Sequence, residues 1–306
     1  MGLDLTSASP RAALRAPRRA RYSPAMKTTP ASTRIATAIQ RRYGEAADVA
    51  DDLPGRDALA VMNERAVCRR YRADPVPPAL LRLLCATALA SPTKSDLQQA
   101  SVVRVAPGAD RAAIDALFPG SPWIAGAPEF LVFCGDGFRL RRVFARRGRA
   151  FPNEHLDAFF NAAVDGAIVL STFVQAAGLA GLGTCPISEI RNHAAAVAER
   201  LGLPDWVFPI AGLTLGWPEA LEPLSPRLAL SATMHDGRYD AGRVDRELDA
   251  YDERRIRERP YRRQRLTERF GTAERYGWSE DKARQYSEPQ RADFGAFIRE
   301  KRYRLE

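Results

Sequence analysis

The segment from Asn161 to Ala177 is built almost wholly of Ala, Val, Ile, Leu and Phe, with Asp165, Ser171, Thr172 and Gln175 as its internal polar residues. A helix apolar on every side has to be buried, so the chain must fold around this stretch. It runs directly into Gly178-Leu-Ala-Gly-Leu-Gly-Thr-Cys-Pro-Ile-Ser-Glu-Ile-Arg191, a glycine-rich hinge leading to a more polar helix. Gly181 and Gly183 allow backbone conformations that a Cβ resists, and they let main chain approach a flat ligand closely. By itself the hinge reads equally well as a glycine C-cap followed by an ordinary loop.

A chain of 306 residues with 45% apolar composition has ample material for a core without covalent staples. Cys68, Cys85, Cys134 and Cys185 are scattered singly, with no CxxC pair. That spacing points to reduced thiols in the cytoplasm and away from a zinc site or a disulfide framework. Three histidines (His155, His193, His235) leave little for metal ligation or a Ser-His-Asp relay. The net charge of +9 is concentrated in the first 25 residues, in Arg139 to Arg149 and in Arg254 to Arg275. No zinc-finger, RNP or helix-turn-helix pattern accompanies these runs, so a nucleic-acid-binding reading rests on electrostatics alone. The apolar stretch near Ala162 to Ala177 falls short of the ~20 residues that span a bilayer, and no membrane association is expected.

Along the chain, residues 1–30 are rich in Arg, Ala, Ser and Pro and read as a disordered basic arm, with Met26 as an alternative start. A domain over 31–240 and a charged helical extension over 241–306 follow. Helices are predicted over Ser32–Tyr43, Asp57–Asn63, Ala79–Ala90 (opened by proline) and Ile190–Leu201, the last closed by Gly202. Ser91-Pro-Thr-Lys-Ser-Asp-Leu-Gln98 is a polar loop between a helix end and a strand, well placed for ligand contacts. Strands are predicted at Ser101–Val105, at Glu129–Cys134 as a central strand buried on both faces, and at Trp206–Leu215. Asp245–Arg275 reads as a charged helical arm and Trp278–Leu305 as an amphipathic close. This order gives α/β or α+β architecture.

Six short motifs stand in one order: Arg65 to Tyr71, Ser91 to Gln98, Gly181-Leu-Gly183, Leu215-Gly-Trp-Pro218, Pro226-Arg-Leu228 and His235 to Tyr239. In that register the chain resembles the FMN-dependent nitroreductase superfamily, in its branch of oxygen-insensitive NADPH nitroreductases and flavin reductase P. The resemblance covers about residues 57–305. It implies an α+β nitroreductase-like fold: a mixed, mainly antiparallel central sheet flanked by helices, with a C-terminal helical extension. It also implies a homodimer formed through the long apolar helix, with two FMN molecules at the subunit interface. The implied activity is ping-pong hydride transfer from NADPH or NADH, through FMN, to a small-molecule acceptor such as a nitroaromatic, a quinone or a flavin.

The residue types suit that cofactor. A phosphate carrying close to two negative charges favours arginine, and the resemblance assigns Arg65, Ala66, Val67 and Arg69 of the first motif and Ser225 and Arg227 of the Ser-Pro-Arg loop to it. By the same resemblance Thr93, Ser95 and Gln98 are expected to supply hydroxyl and amide groups to the phosphate, ribityl chain or ring edge, and Ser121 to touch the flavin. The resemblance also implies that Pro186, Ile187, Ser188 and Glu189 lie against the ring, the main chain of Ser188 and Glu189 directing an N–H toward N5, where hydride arrives. Cys185 reads as a buried small side chain. Three residues depart from the family pattern: Val67 stands for Ser, Ser188 and Glu189 for paired glycines, and Ser225 for Lys. They bear on acceptor and donor choice more than on cofactor identity. Arg254, Arg255, Arg257, Arg262, Arg263 and Arg265 are candidates for the NADPH 2′-phosphate. Two further readings are a flavin-binding relative without turnover and a basic nucleic-acid-binding protein.

Overall fold

The computed structural model describes residues 29–220 and 222–306. The readings on residues 1–28 lie outside the described residues. The first helices are α1 (Ala31–Tyr43), α2 (Arg56–Asn63), α3 (Pro78–Leu89) and α4 (Ala109–Asp115). Pro78 starts α3 as read from the sequence, its missing N–H being one that a helix start leaves unpaired in any case. Then come α5 (Phe138–Arg146), α6 (Leu156–Leu179), α7 (Ala194–Arg200) and α8 (Leu230–Thr233). The C-terminal part holds α9 (Val244–Glu258), α10 (Thr267–Phe270), α11 (Trp278–Gln285) and α12 (Phe294–Glu300).

Strands β1 (Ala100–Arg104), β2 (Glu129–Asp136), β3 (Gly183–Ile187) and β4 (Val207–Gly216) form one sheet in the order β1-β2-β4-β3, antiparallel throughout. The fold class is thus the expected α+β one. β2 is buried along its whole length. Its alternation sends Phe130, Val132 and Cys134 into one apolar cluster and Leu131 and Phe133 into the other. Pro209 sits in β4, an interior strand where a missing N–H breaks the ladder, and the pairing with β2 is irregular there, between Phe133 and Cys134.

Several elements differ from the sequence reading. The hinge contains a strand, β3, which glycine and proline disguised; Pro186 is tolerated because β3 is the edge of the four-stranded sheet. The helix expected over Ile190–Leu201 is a 3₁₀ segment, Ser188–His193, followed by the short α7, with Gly202 closing it at φ +59°. The charged arm is not one helix: α9 ends at Glu258, where Arg259 precedes Pro260 and is pushed out of helical geometry. The close of the chain joins the core, since Phe297, Ile298 and Tyr303 are buried with the β2 residues. The Tyr303 hydroxyl donates to the Trp206 carbonyl at 2.8 Å and accepts from the Gly137 N–H at 3.0 Å.

α6 is 24 residues long and apolar enough, by length and composition, to cross a bilayer, which corrects the shorter span expected above. Its packing is that of a core helix: Ala158 and Ala162 enter one cluster and Val169, Phe173, Val174 and Ala177 the other. It is not buried all round within one chain, however. Leu156, Phe160 and Val164, one turn apart, are exposed, Phe160 by 60%. On the inner side, Gly166 lets α6 lie directly on the sheet, because a Cβ there would meet Ile210 and come within 3.0 Å of the Cys134 carbonyl oxygen. Gly166→Val is therefore expected to lower the unfolding free energy by about 2 kcal/mol, overpacking outweighing any gain in helix propensity. An unchanged denaturant midpoint would show that α6 stands off the sheet.

Candidate active site

The first motif is laid along the outer edge of β3. Val67 forms a parallel bridge with Thr184, and the Cys68 N–H donates to the Thr184 carbonyl at 2.9 Å. The Leu-Gly-Trp-Pro turn after β4 locks its far end: Tyr71 bridges Pro218, and the Arg72 N–H donates to the Trp217 carbonyl at 2.9 Å. The Tyr71 hydroxyl donates to the Cys68 carbonyl at 2.6 Å and lies 2.8 Å from the Thr214 hydroxyl. Burial pushes that phenol far above its usual range, so it stays protonated. Close approach of the two segments requires Gly216, whose Cβ would fall within 3.0 Å of Pro128 and Tyr71.

Arginines gather at this edge. Arg65, Ala66 and Val67 are half-buried and line a small cavity of about 50 Å³ with Gly183 and Thr184. Arg227 is exposed beside them. The Arg65 guanidinium is pushed below its ordinary value first by burial and then by the charge of Arg227. Arg42 is pushed down by burial, then by Arg227 and Arg65. No acid among the described residues forms an ion pair with Arg42, Arg65 or Arg227 within 4.0 Å, so the cluster is electrostatically uncompensated.

Sequence reasoning missed Arg42 in this role. It donates to the carbonyls of Asn63 at 2.8 Å, of Ser225 at 3.4 Å and of Arg65, tying α1 to both arginine-bearing segments. Arg254, expected at a nucleotide, is instead buried and donates to the carbonyls of Arg42 and Arg227. Its Nη1 is buried with no partner among the described residues. Ser225 turns its hydroxyl to Arg259 at 2.8 Å.

A second group flanks the arginines. Arg69 is exposed and stacks over Trp123 at 5.3 Å, and with Arg65 it counteracts the burial that raises the Cys185 thiol. Cys185 is 2% exposed and stays a buried thiol. Ser121 donates to the Glu189 carboxylate at 3.3 Å. Pro186 and Ser188 are exposed, Ile187 is buried and Glu189 half-buried.

Thr93, Ser95 and Gln98 are elsewhere. Their loop precedes β1, three strand positions from β3 in the sheet order, roughly 14 Å away at the usual strand spacing. The residues assigned to one ligand thus fall into two groups at opposite sheet edges of a single chain.

The chain matches two family models: Nitroreductase family over residues 62–217, and Nitroreductase family, C-terminal domain, over residues 225–306. It is 31% identical over 201 residues to an FMN reductase (NAD(P)H) of Bacillus subtilis, covering 64% of this chain and 80% of that one. It is 34% identical over 189 residues to an oxygen-insensitive NADPH nitroreductase of Salmonella typhimurium, covering 60% and 75%. Its fold superposes on the hypothetical oxidoreductase YcnD from Bacillus subtilis with a TM-score of 0.74 at 27% identity, covering 82% of this chain and 99% of that one. An arginine-lined sheet edge, a Gly-Leu-Gly strand beside it and a family match spanning half of the 306 residues lead to one conclusion: the chain belongs to the nitroreductase family.

Proposed function

We propose that this chain is an FMN-dependent NAD(P)H oxidoreductase that reduces nitroaromatics, quinones or flavins, working as a homodimer in the cytoplasm. The uncompensated arginine cluster at the β3 edge carries the reading. Like charges crowded without a counter-ion fit a phosphate dianion, and the relatives' names as FMN reductase and NADPH nitroreductase fit the same cofactor.

When bound, FMN supplies the redox chemistry, accepting hydride from the nicotinamide and delivering electrons to the acceptor. Arg65 and Arg227 hold the phosphate, while Arg42 and Arg254 fix the backbone that carries them. The 186–189 segment orients the ring through main-chain groups, and Ser121 steadies Glu189 beside it.

A dimer brings the two groups of site residues together. The exposed stripe Leu156, Phe160 and Val164 on α6, with Leu83 and Leu89 on α3, supplies the apolar face for it. Four free cysteines suit a reducing compartment. For the donor, Arg254 is buried, Arg257 is paired with Glu258 at 3.0 Å and Arg265 with Asp281 at 3.0 Å, which leaves Arg255, Arg262 and Arg263 of the six. Arg255 and Arg262 border an open groove of about 1070 Å³ with Tyr261, a site suited to the 2′-phosphate of NADPH.

Purified protein is expected to be yellow, or to take up added FMN, and to oxidise NADPH with kcat/KM about tenfold above that for NADH, the worth of one charge-assisted contact. A colourless protein that binds no FMN sinks the flavin reading. Equal constants for the two donors sink only the arginine groove.

A further inference from the structure

The loop between α3 and β1 holds an unusual backbone. Ser95, Asp96 and Gln98 all have positive φ, at 49°, 56° and 52°. None is glycine, and each such residue costs of order 1 kcal/mol or more, so the conformation persists only if its surroundings enforce it. On the outside Arg139 donates to the carbonyls of Gln98 and Ala100; the buried enforcing group is Asp165, which lies in the middle of the apolar helix α6 and is 2% exposed. Its carboxylate accepts from the Thr93 hydroxyl at 2.5 Å, the Gln99 N–H at 3.0 Å and the Lys94 N–H at 3.3 Å. Thr93 passes the restraint on, because the same hydroxyl oxygen accepts the Gln98 N–H at 2.8 Å. One buried acid and one hydroxyl thus clamp both ends of the strained turn.

Turned inward, the clamp leaves Lys94, Ser95, Asp96 and Gln98 exposed on the outer side. The Thr93 hydroxyl, by contrast, is engaged on both sides within the loop. A buried carboxylate in an apolar helix is costly unless fully hydrogen-bonded, and a loop with no ligand to serve has no need of it. We infer that Asp165 is a positioning residue for cofactor binding: through Thr93 it presets the loop so that Ser95 and Gln98 meet FMN without paying the ordering entropy on binding. Thr93 acts as the relay rather than as a direct contact. This rests on the flavin reading above.

The test compares Asp165→Asn, Thr93→Val and Thr93→Ser in the full-length chain. FMN affinity is read by quenching of flavin fluorescence, seating of the ring by visible circular dichroism, and stability by thermal unfolding without FMN. Valine keeps the shape of Thr93 and removes the hydroxyl; serine restores it. Thr93→Val and Asp165→Asn are expected to raise the FMN dissociation constant at least tenfold and to alter the flavin dichroism, with Thr93→Ser recovering most of the loss. The idea is overturned if the variants lower only the unfolding midpoint while the folded protein binds FMN with unchanged affinity and dichroism, or if serine and valine behave alike at position 93. Failure of the unmodified chain to bind FMN overturns the flavin reading itself and this inference with it.

Discussion

Replacing Arg227 by glutamine is expected to have two opposite effects: the FMN-free protein becomes more stable and FMN binding weakens by about 10- to 100-fold, the equivalent of 1.5–3 kcal/mol for a hydrogen bond to a charged group. Arg227 depresses the guanidinium pKa of both Arg42 and Arg65, second only to burial in each case. That is repulsion in the folded state, and the unfolded chain does not feel it. Removing the central charge relieves both neighbours at once. The gain is modest, because Arg227 itself is exposed and Arg65 half-buried, so that water screens the repulsion; a rise of about 1–3 °C in the unfolding midpoint is the expected scale. The bound phosphate reverses the sign, since each arginine then faces an anion. Arg227→Lys separates charge from geometry: it keeps the repulsion but loses the fork that holds two phosphate oxygens. It should therefore leave apoprotein stability close to the parent and still weaken FMN several-fold. If Arg227→Gln destabilises the apoprotein and leaves FMN affinity intact, the cluster is a structural clasp and the phosphate lies elsewhere. Paired thermal melts and FMN titrations on the three proteins decide it.

Much of the frame was legible because apolar runs have few ways to fold. Glu129 to Cys134 has no polar residue after its first, which forces a strand buried on both faces, and β2 is buried at every position. Proline at Pro78 and the leucines behind it marked α3 for the same reason. β3 was not legible, since Gly183 and Pro186 have low strand propensity and it is the antiparallel pairing with Gly212 to Gly216 of β4, distant in sequence, that makes the strand. The clasp around the arginines was hidden for another reason. Arg254 reaches the Arg42 carbonyl across 212 positions of chain, and no local pattern in a run of charged helix separates that arginine from its solvated neighbours. Motif resemblance placed Arg65 and Arg227 in one set, and the two come together; it also placed Thr93, Ser95 and Gln98 there, and a single chain holds those at the far edge of the sheet.

That separation makes the α6 stripe the place where one substitution has the widest effect. Phe160 is 60% exposed in the single chain, on the same face as Leu156 and Val164. Phe160→Arg should not damage the fold of one protomer, because the side chain has little packing to lose and the helix accepts arginine well. At a two-fold interface each such residue counts twice. An interfacial aromatic contributes about 2–4 kcal/mol, so the pair is worth about 4–8 kcal/mol, enough to turn a nanomolar dimer into a micromolar or weaker one; burying two unpaired guanidinium groups adds to the penalty. The variant is expected to sediment as a monomer with its helical circular dichroism retained. Its FMN affinity should fall at least 100-fold although no residue assigned to the cofactor has changed, because in the proposed dimer the arginine edge of one protomer would no longer meet the Ser95 and Gln98 loop of its partner. A monomer that binds FMN as tightly as the parent would mean that one chain holds the whole site, and the loop would then have to serve some other ligand. A variant that stays dimeric would place the interface on a different face. Sedimentation velocity with a parallel FMN titration distinguishes the three outcomes.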